Sequence, residues 1–182
     1  KTLNPSLKIY LNNSKSNISL YNLKWNNFKK YTYPYEFIHT VIPELTCSIS
    51  KLKPISRAFY KLIELYKNND LLNYDRPINT FHLAEGPGGF IEATNYIRKN
   101  KEDHYYGMTL MQDKSSIPNW YKMQNLLKEN PNIHIEYGVD KTGNLFNHQN
   151  LIYCRDKFKN KMDIITADGG FDFSDDFNNQ EN

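Results

Sequence analysis

Residues 80–91 read TFHLAEGPGGFI, and this stretch decides the kind of fold the chain adopts. A short apolar run ends at Glu85, Gly86 to Gly89 turn the chain, and an amphipathic segment follows from Phe90 toward Lys99 with Phe90, Ala93, Thr94 and Ile97 on one side. Strand, glycine turn and helix succeed one another. Glycine serves a chain that must take positive φ or let another molecule come close. The turn therefore reads either as a tight connection or as the place where a ligand meets the backbone.

The neighbours extend the pattern in both directions. Upstream, PISRAFYKLIELYKNN places Ile55, Ala58, Phe59, Leu62, Ile63 and Tyr66 on one helical stripe, with Pro54 suited to the first turn and Asn68 and Asn69 near the stop. Lys61 lies on the polar flank of that stripe. Downstream, HYYGMTLM reads as a second strand, Pro118 to Lys128 as a helix and NIHIEYG as a third strand. Asn147 to Phe158 then reads as a helix with Leu151, Ile152 and Phe158 inward, and MDIITAD as a fourth strand ending on Asp168. Successive β-α-β units argue for an α/β fold with a doubly wound parallel sheet, because parallel neighbours need the crossovers that helices provide. Ligands in such sheets sit at the carboxyl ends of the strands near the switch in strand order, where Glu85, the glycine turn and Asp168 all fall.

The turn itself disfavours one nucleotide-binding device and excludes another. GPGGFI has Ile91 where a dinucleotide fingerprint needs its third glycine, and no acid closes the second strand directly. No Gly-Lys-Ser/Thr follows, so it is not a P-loop. A ligand whose ribose and amino-acid parts lie along bare backbone remains, with a helix N-terminus to receive a carboxylate; S-adenosylmethionine has those parts.

Composition bounds the rest. A chain of 182 residues, 39% of them hydrophobic, supports one domain with a real core. Its 24 asparagines are scattered rather than blocked, which argues against a disordered tract and fits an AT-rich genome. Cys47 and Cys154 lie far apart outside any C-x-x-C, His82 reads as a satisfied core residue, and the other histidines show no ligand spacing, so no metal is called for. No apolar run approaches the roughly 20 residues a membrane span needs, nor is there a signal-peptide core. A soluble interior protein is expected, and the start at Lys1 suits a processed or excised fragment.

Charge is unevenly placed. Residues 1–61 carry ten Lys/Arg against Glu36 and Glu44, a net of +8 in a chain whose total is +3. The same third interleaves aromatics with lysines, as in YNLKWNNFKKYTYPYEF. That mixture suits phosphate and base stacking, and equally a core edge with solvated lysines.

Taken together, ISRAFYKLIEL, LAEGPGGFIEA, YYGMTLM, YGVDKTGNLFNHQNL and IITADGGF resemble the FtsJ-like ribose 2′-O-methyltransferases, in particular the branch acting on capped mRNA in eukaryotes and large DNA viruses. The resemblance covers roughly residues 52–182, leaving residues 1–51 as a basic, aromatic-rich extension that is a candidate for binding RNA or the cap. It implies a Rossmann-like methyltransferase sheet and S-adenosylmethionine as cofactor, held by Glu85, Gly86, Pro87, Gly88, Gly89, Phe90, Thr109, Asp140, Asn144 and Leu145. Asn144 stands where the family usually has Asp. Lys61 and Asp168 match two members of the family's catalytic Lys-Asp-Lys core, and Arg57 and Asn182 are the implied RNA contacts. Trp25, Phe28, Tyr31 and Tyr33 are candidates to stack on the cap guanine.

The implied function is methyl transfer to the ribose 2′-hydroxyl of the first transcribed nucleotide, with two alternatives: a non-catalytic RNA-binding or regulatory subunit, and an rRNA or tRNA ribose methyltransferase. The family's second catalytic lysine and its glutamate lie on strands beyond ADGG. The sheet is therefore expected to be truncated after the fourth strand, and a missing C-terminal segment or a partner chain to complete it. The expected location is the cytoplasm (a host's cytoplasm or a virion for a viral chain), or the nucleus for a eukaryotic one.

Overall fold

In the computed structural model, which describes residues 4–42, 47–111 and 119–170, residues up to Ile49 fall in one compact unit and Ser50–Gly169 form another. The first unit is mainly helical. Asn4 caps α1 (Pro5–Ser16) by accepting from the Leu7 amide at 3.0 Å, with Pro5 in the first turn, where its missing N–H costs nothing. A 3₁₀ turn (Asn17–Tyr21), α2 (Asn22–Thr32) and α3 (Pro34–His39) follow. β1 (Val41–Ile42) then pairs antiparallel with β2 (Cys47–Ser48). Among the residues of this unit whose burial is described, none is buried.

The second unit alternates as the sequence suggests: α4 (Ala58–Asn69), β3 (Asn79–Leu83), α5 (Gly89–Arg98), β4 (His104–Met108), a 3₁₀ turn (Trp120–Met123) running into α6 (Gln124–Glu129), β5 (Ile133–Glu136), α7 (His148–Phe158) and β6 (Ile164–Ala167). All four strands are parallel, in the order β5-β4-β3-β6. Two strands extend the sheet to one side of β3 and the next joins its other side, so the order reverses between β3 and β6.

Two expectations need correction. Pro54 and Ile55 precede α4 rather than opening it, because the Ile55 amide donates to Glu92 Oε2 at 2.7 Å and the chain enters through turns at Ser56 and Arg57. On α7 the inward residues are Asn150, Cys154 and Phe158, spaced i, i+4, i+8, whereas Leu151 is 42% exposed.

Helices cover both faces of the sheet. On one side Phe59, Leu62 and Tyr66 of α4 pack with Phe90 and Ala93 of α5, and Ile91, Tyr105, Trp120, Met123 and Ile133 continue the core. On the other, Phe81 and Met108 of the strands meet Cys154 and Phe158 of α7. His82, expected as a satisfied core residue, is fully buried between Thr80 Oγ1 at 2.8 Å and Thr166 Oγ1 at 2.7 Å, and burial pushes its pKa down to about 3. It is neutral in the folded protein and bridges β3 to β6.

The amino end of the sheet is tied by a buried ion pair. Asp103 accepts from Arg98 Nε at 2.8 Å, the Ile78 amide at 2.9 Å and the Tyr105 hydroxyl at 2.9 Å, while Arg98 also donates to the carbonyls of Leu72, Tyr74 and Arg76.

Candidate active site

Strand register fixes where the site lies. Leu83, Met108, Glu136 and Ala167 are the last residues of their strands and stand level with one another across the sheet. The segments that follow all four strands therefore leave from one edge.

The turn after β3 begins with Ala84 at a φ of 53°, and the Glu85 amide donates to Met108 O at 3.1 Å, stitching it to β4. The Gly86–Pro87 peptide is cis, and the Gly88 amide closes the turn on Glu85 O at 2.7 Å. Gly88 has a φ of +114°, and a Cβ there would lie 2.5 Å from Met123 Sδ, so conformation and space both demand glycine. Gly86 and Pro87 are half-buried, Gly88 and Gly89 buried.

Glu85 and Phe90 face inward. Glu85 Oε1 accepts from the Phe90 amide at 2.8 Å and the Ile91 amide at 2.9 Å, so the carboxyl caps α5 with two of its free donors. Burial pushes this carboxyl up to about 8, and the charges of Asp168 and Glu92 add to the rise while the two amides oppose it. The Phe90 ring lies in the core beside Phe59 and Leu62. The ring and the amide of Phe90 are thus engaged inside the fold, and the α5 amides of residues 90 and 91 are already taken. Replacing Glu85 by Gln keeps an acceptor and is expected to change stability little. Glu85→Ala orphans both amides at about 1–3 kcal/mol each, as urea denaturation would show.

Across the switch point, Asp168 leaves β6 next to this turn. Its Oδ2 accepts from Lys61 Nζ at 2.6 Å, joining residues 107 positions apart. The side chains are 41% and 32% exposed respectively, so the pair is anchored by the fold yet open to a ligand. Arg57, half-buried, precedes α4 one turn from Lys61 and so lies on the same side of that helix.

The loop after β5 organises itself around Asp140. Its Oδ1 accepts from the Thr142 amide at 2.9 Å, Thr142 Oγ1 at 2.8 Å and Asn150 Nδ2 at 2.8 Å, and its Oδ2 from Asn147 Nδ2 at 2.6 Å. These bonds, the Thr142 amide foremost, hold its carboxyl well below the usual range. Asn144 Oδ1 accepts from the Phe146 amide at 2.9 Å, and its carbonyl from Asn150 Nδ2 at 2.9 Å. Asp140 and Asn144 shape this loop whatever else they touch. Leu145 packs against the Phe81 cluster, and Thr109, 7% exposed, has its carbonyl where a Cβ on Gly143 would go, which fastens the loop after β4 to the loop after β5.

One pair at this edge went unread in the sequence. Glu136, which closes β5, accepts from the Tyr137 amide at 3.0 Å, the Gly138 amide at 3.1 Å and Lys157 Nζ at 2.5 Å. An acid as the last residue of NIHIE was the available signal. Asn182, expected to contact RNA, lies outside the described residues.

A parallel α/β sheet with a glycine turn on its central strand and a Lys–Asp pair across the switch point defines the class: a Rossmann-like protein with its site at the carboxyl edge. The profile of the FtsJ-like methyltransferase family matches residues 54–181, and the chain belongs to that family. It is also similar to the cap-specific mRNA (nucleoside-2′-O-)-methyltransferase 2 of Danio rerio, with 28% identity in an alignment 126 residues long that covers 57% of this chain. The chain spans only 15% of the length of that relative.

Proposed function

We propose that this chain binds S-adenosylmethionine along its glycine turn and transfers the methyl group to the ribose 2′-hydroxyl of the first transcribed nucleotide of capped mRNA. The observation that carries this reading is the Lys61–Asp168 pair at 2.6 Å, beside the turn and partly open. Family membership supports RNA ribose methylation, and the name of the zebrafish relative supports a capped mRNA as acceptor.

The residues present suit the cofactor. The turn presents main chain at the half-buried Gly86 and Pro87, and the loops carrying Thr109, Asp140, Asn144 and Leu145 leave the same edge. Bound there, the cofactor supplies an electrophilic methyl group on a sulfonium. The chain's task is to prepare the other reactant, since a ribose hydroxyl is a poor nucleophile near neutral pH. Asp168 fixes the position of Lys61 Nζ, which would steady the ribose oxygen as it gives up its proton to water. Holding that oxygen in a fixed orientation at the carboxyl edge would supply much of the remaining rate. Arg57 and Asn182 are assigned to the RNA strand.

The test compares capped and uncapped RNAs of one sequence, with methyl transfer from labelled cofactor as readout. Methylation of the capped RNA is expected to exceed that of the uncapped one by at least tenfold. Equal transfer to both removes the cap assignment, and no cofactor binding removes the reading altogether.

A further inference from the structure

The first unit contains an open concavity of about 400 Å³ lined by the aromatic Tyr21, Trp25 and Phe28 and by Ile18, with Ser14, Asn17 and Thr32 completing it. The three aromatic residues are 52%, 40% and 45% exposed. Tyr21 and Phe28 meet edge to face, with centroids 6.2 Å apart and planes at 76°. Trp25, Phe28 and Thr32 follow one another at i, i+3, i+7 on α2 and share a face. At about 100° per residue, Lys24 and Lys29 fall roughly 70° to either side of that face. Lys15 adjoins Ser14 on α1, and the described residues of this unit carry Lys8, Lys15, Lys24, Lys29 and Lys30 against Glu36 alone, which lies 3.6 Å from Lys29 Nζ, a loose pair that a phosphate can displace. Exposed rings with a lysine to either side complement a base and its two phosphates.

We infer that this concavity holds an unpaired base of single-stranded RNA, stacked on the Trp25 and Phe28 rings, with Lys24 and Lys29 against the phosphates on either side. The choice of RNA rests on the function proposed above; the choice of an unpaired base rests on the aromatic lining. Tyr31 and Tyr33, the other aromatics picked out in the sequence, are not among the lining residues. Tyr31 lies near Phe37, with centroids 6.4 Å apart, and Tyr33 pairs with Tyr35 at 5.5 Å.

The test uses the full chain and a labelled, uncapped oligouridylate of about ten nucleotides, within the range a single-strand groove covers. Binding is read by anisotropy and by tryptophan emission, since Trp25 is exposed and Trp120, the second tryptophan, is 7% exposed. The strand is expected to quench emission. Trp25→Ala and Phe28→Ala are each expected to weaken binding at least tenfold, the worth of one stacked base at about 1.4 kcal/mol per tenfold. Lys24→Gln and Lys29→Gln should each lessen the salt dependence by roughly one phosphate contact. Circular dichroism checks folding, and cofactor affinity is measured in every variant as an independent readout.

Unchanged RNA affinity in folded Trp25→Ala and Phe28→Ala overturns the inference. So does quenching by a cap dinucleotide with none by the uncapped strand. A self-association that Trp25→Ala dissolves while RNA affinity stays constant overturns it as well, and assigns the surface to protein contact. Loss of cofactor binding with the stacking effects intact overturns the proposed reaction and leaves this site standing.

Discussion

Asp168→Ala should reduce methyl transfer by at least a hundredfold while leaving the protein folded. The two halves of that result come from different magnitudes. The Lys61–Asp168 pair is 32% and 41% exposed, and pairs in contact with water contribute only about 0–1 kcal/mol to stability. A group that positions a reacting proton or its stabilising cation contributes about 10²–10⁴ in rate. Asp168→Asn keeps an oxygen that can accept from Lys61 Nζ but gives up the charge, so its activity is expected between those of wild type and Ala. Single-turnover transfer of labelled methyl to capped RNA, beside a melting curve, measures both halves. Wild-type rates in folded Asp168→Ala would remove the carboxylate from the reaction.

The opposite balance holds at the other end of the sheet. Asp103 is fully buried and Arg98 nearly so, with side-chain exposures of 0% and 9%. Asp103→Ala should cost about 3–5 kcal/mol, because it leaves the Arg98 guanidinium buried without its counter-charge. It also strands the Ile78 amide that enters β3. Burial works to raise the Asp103 carboxyl, but bonds from Arg98, the Ile78 amide and the Tyr105 hydroxyl outweigh it and the pKa is lowered. The stabilisation is therefore complete above the unfolded carboxyl value of about 3.9 and is lost as pH falls through the lower folded value. Urea midpoints of wild type and Asp103→Asn should differ most at neutral pH and converge in acid.

The sequence exposed this molecule most clearly where chemistry is local. The glycine turn, the strand before it and Asp168 at the end of β6 are each set by a few adjacent residues. The parallel order followed from the alternation alone. Lys61 needed the family pattern, since a lysine on a helix flank carries no signal by itself.

What escaped depends on contacts between distant segments. Pro54 favoured an early helix start, and nothing near it announces that Glu92, 37 residues on from Ile55, takes the Ile55 amide. Asn150 looks like a surface residue, yet it is buried because it ties Asp140 to the Asn144 carbonyl, a role that an apolar pattern does not register. Glu85 shows the same difficulty. Its place in the motif pointed outward to a ligand, while its oxygen is bound to the helix behind it.

The arrangement of β6 bears on biogenesis. Chains emerge from the ribosome amino end first and tend to organise in that order. Lys61, the glycine turn, β4 and β5 can all come together before residue 164 has been synthesised, whereas Asp168 arrives with the strand that takes the free side of β3. A nascent chain that has not yet added this strand has the glycine turn but lacks the carboxylate that pairs with Lys61.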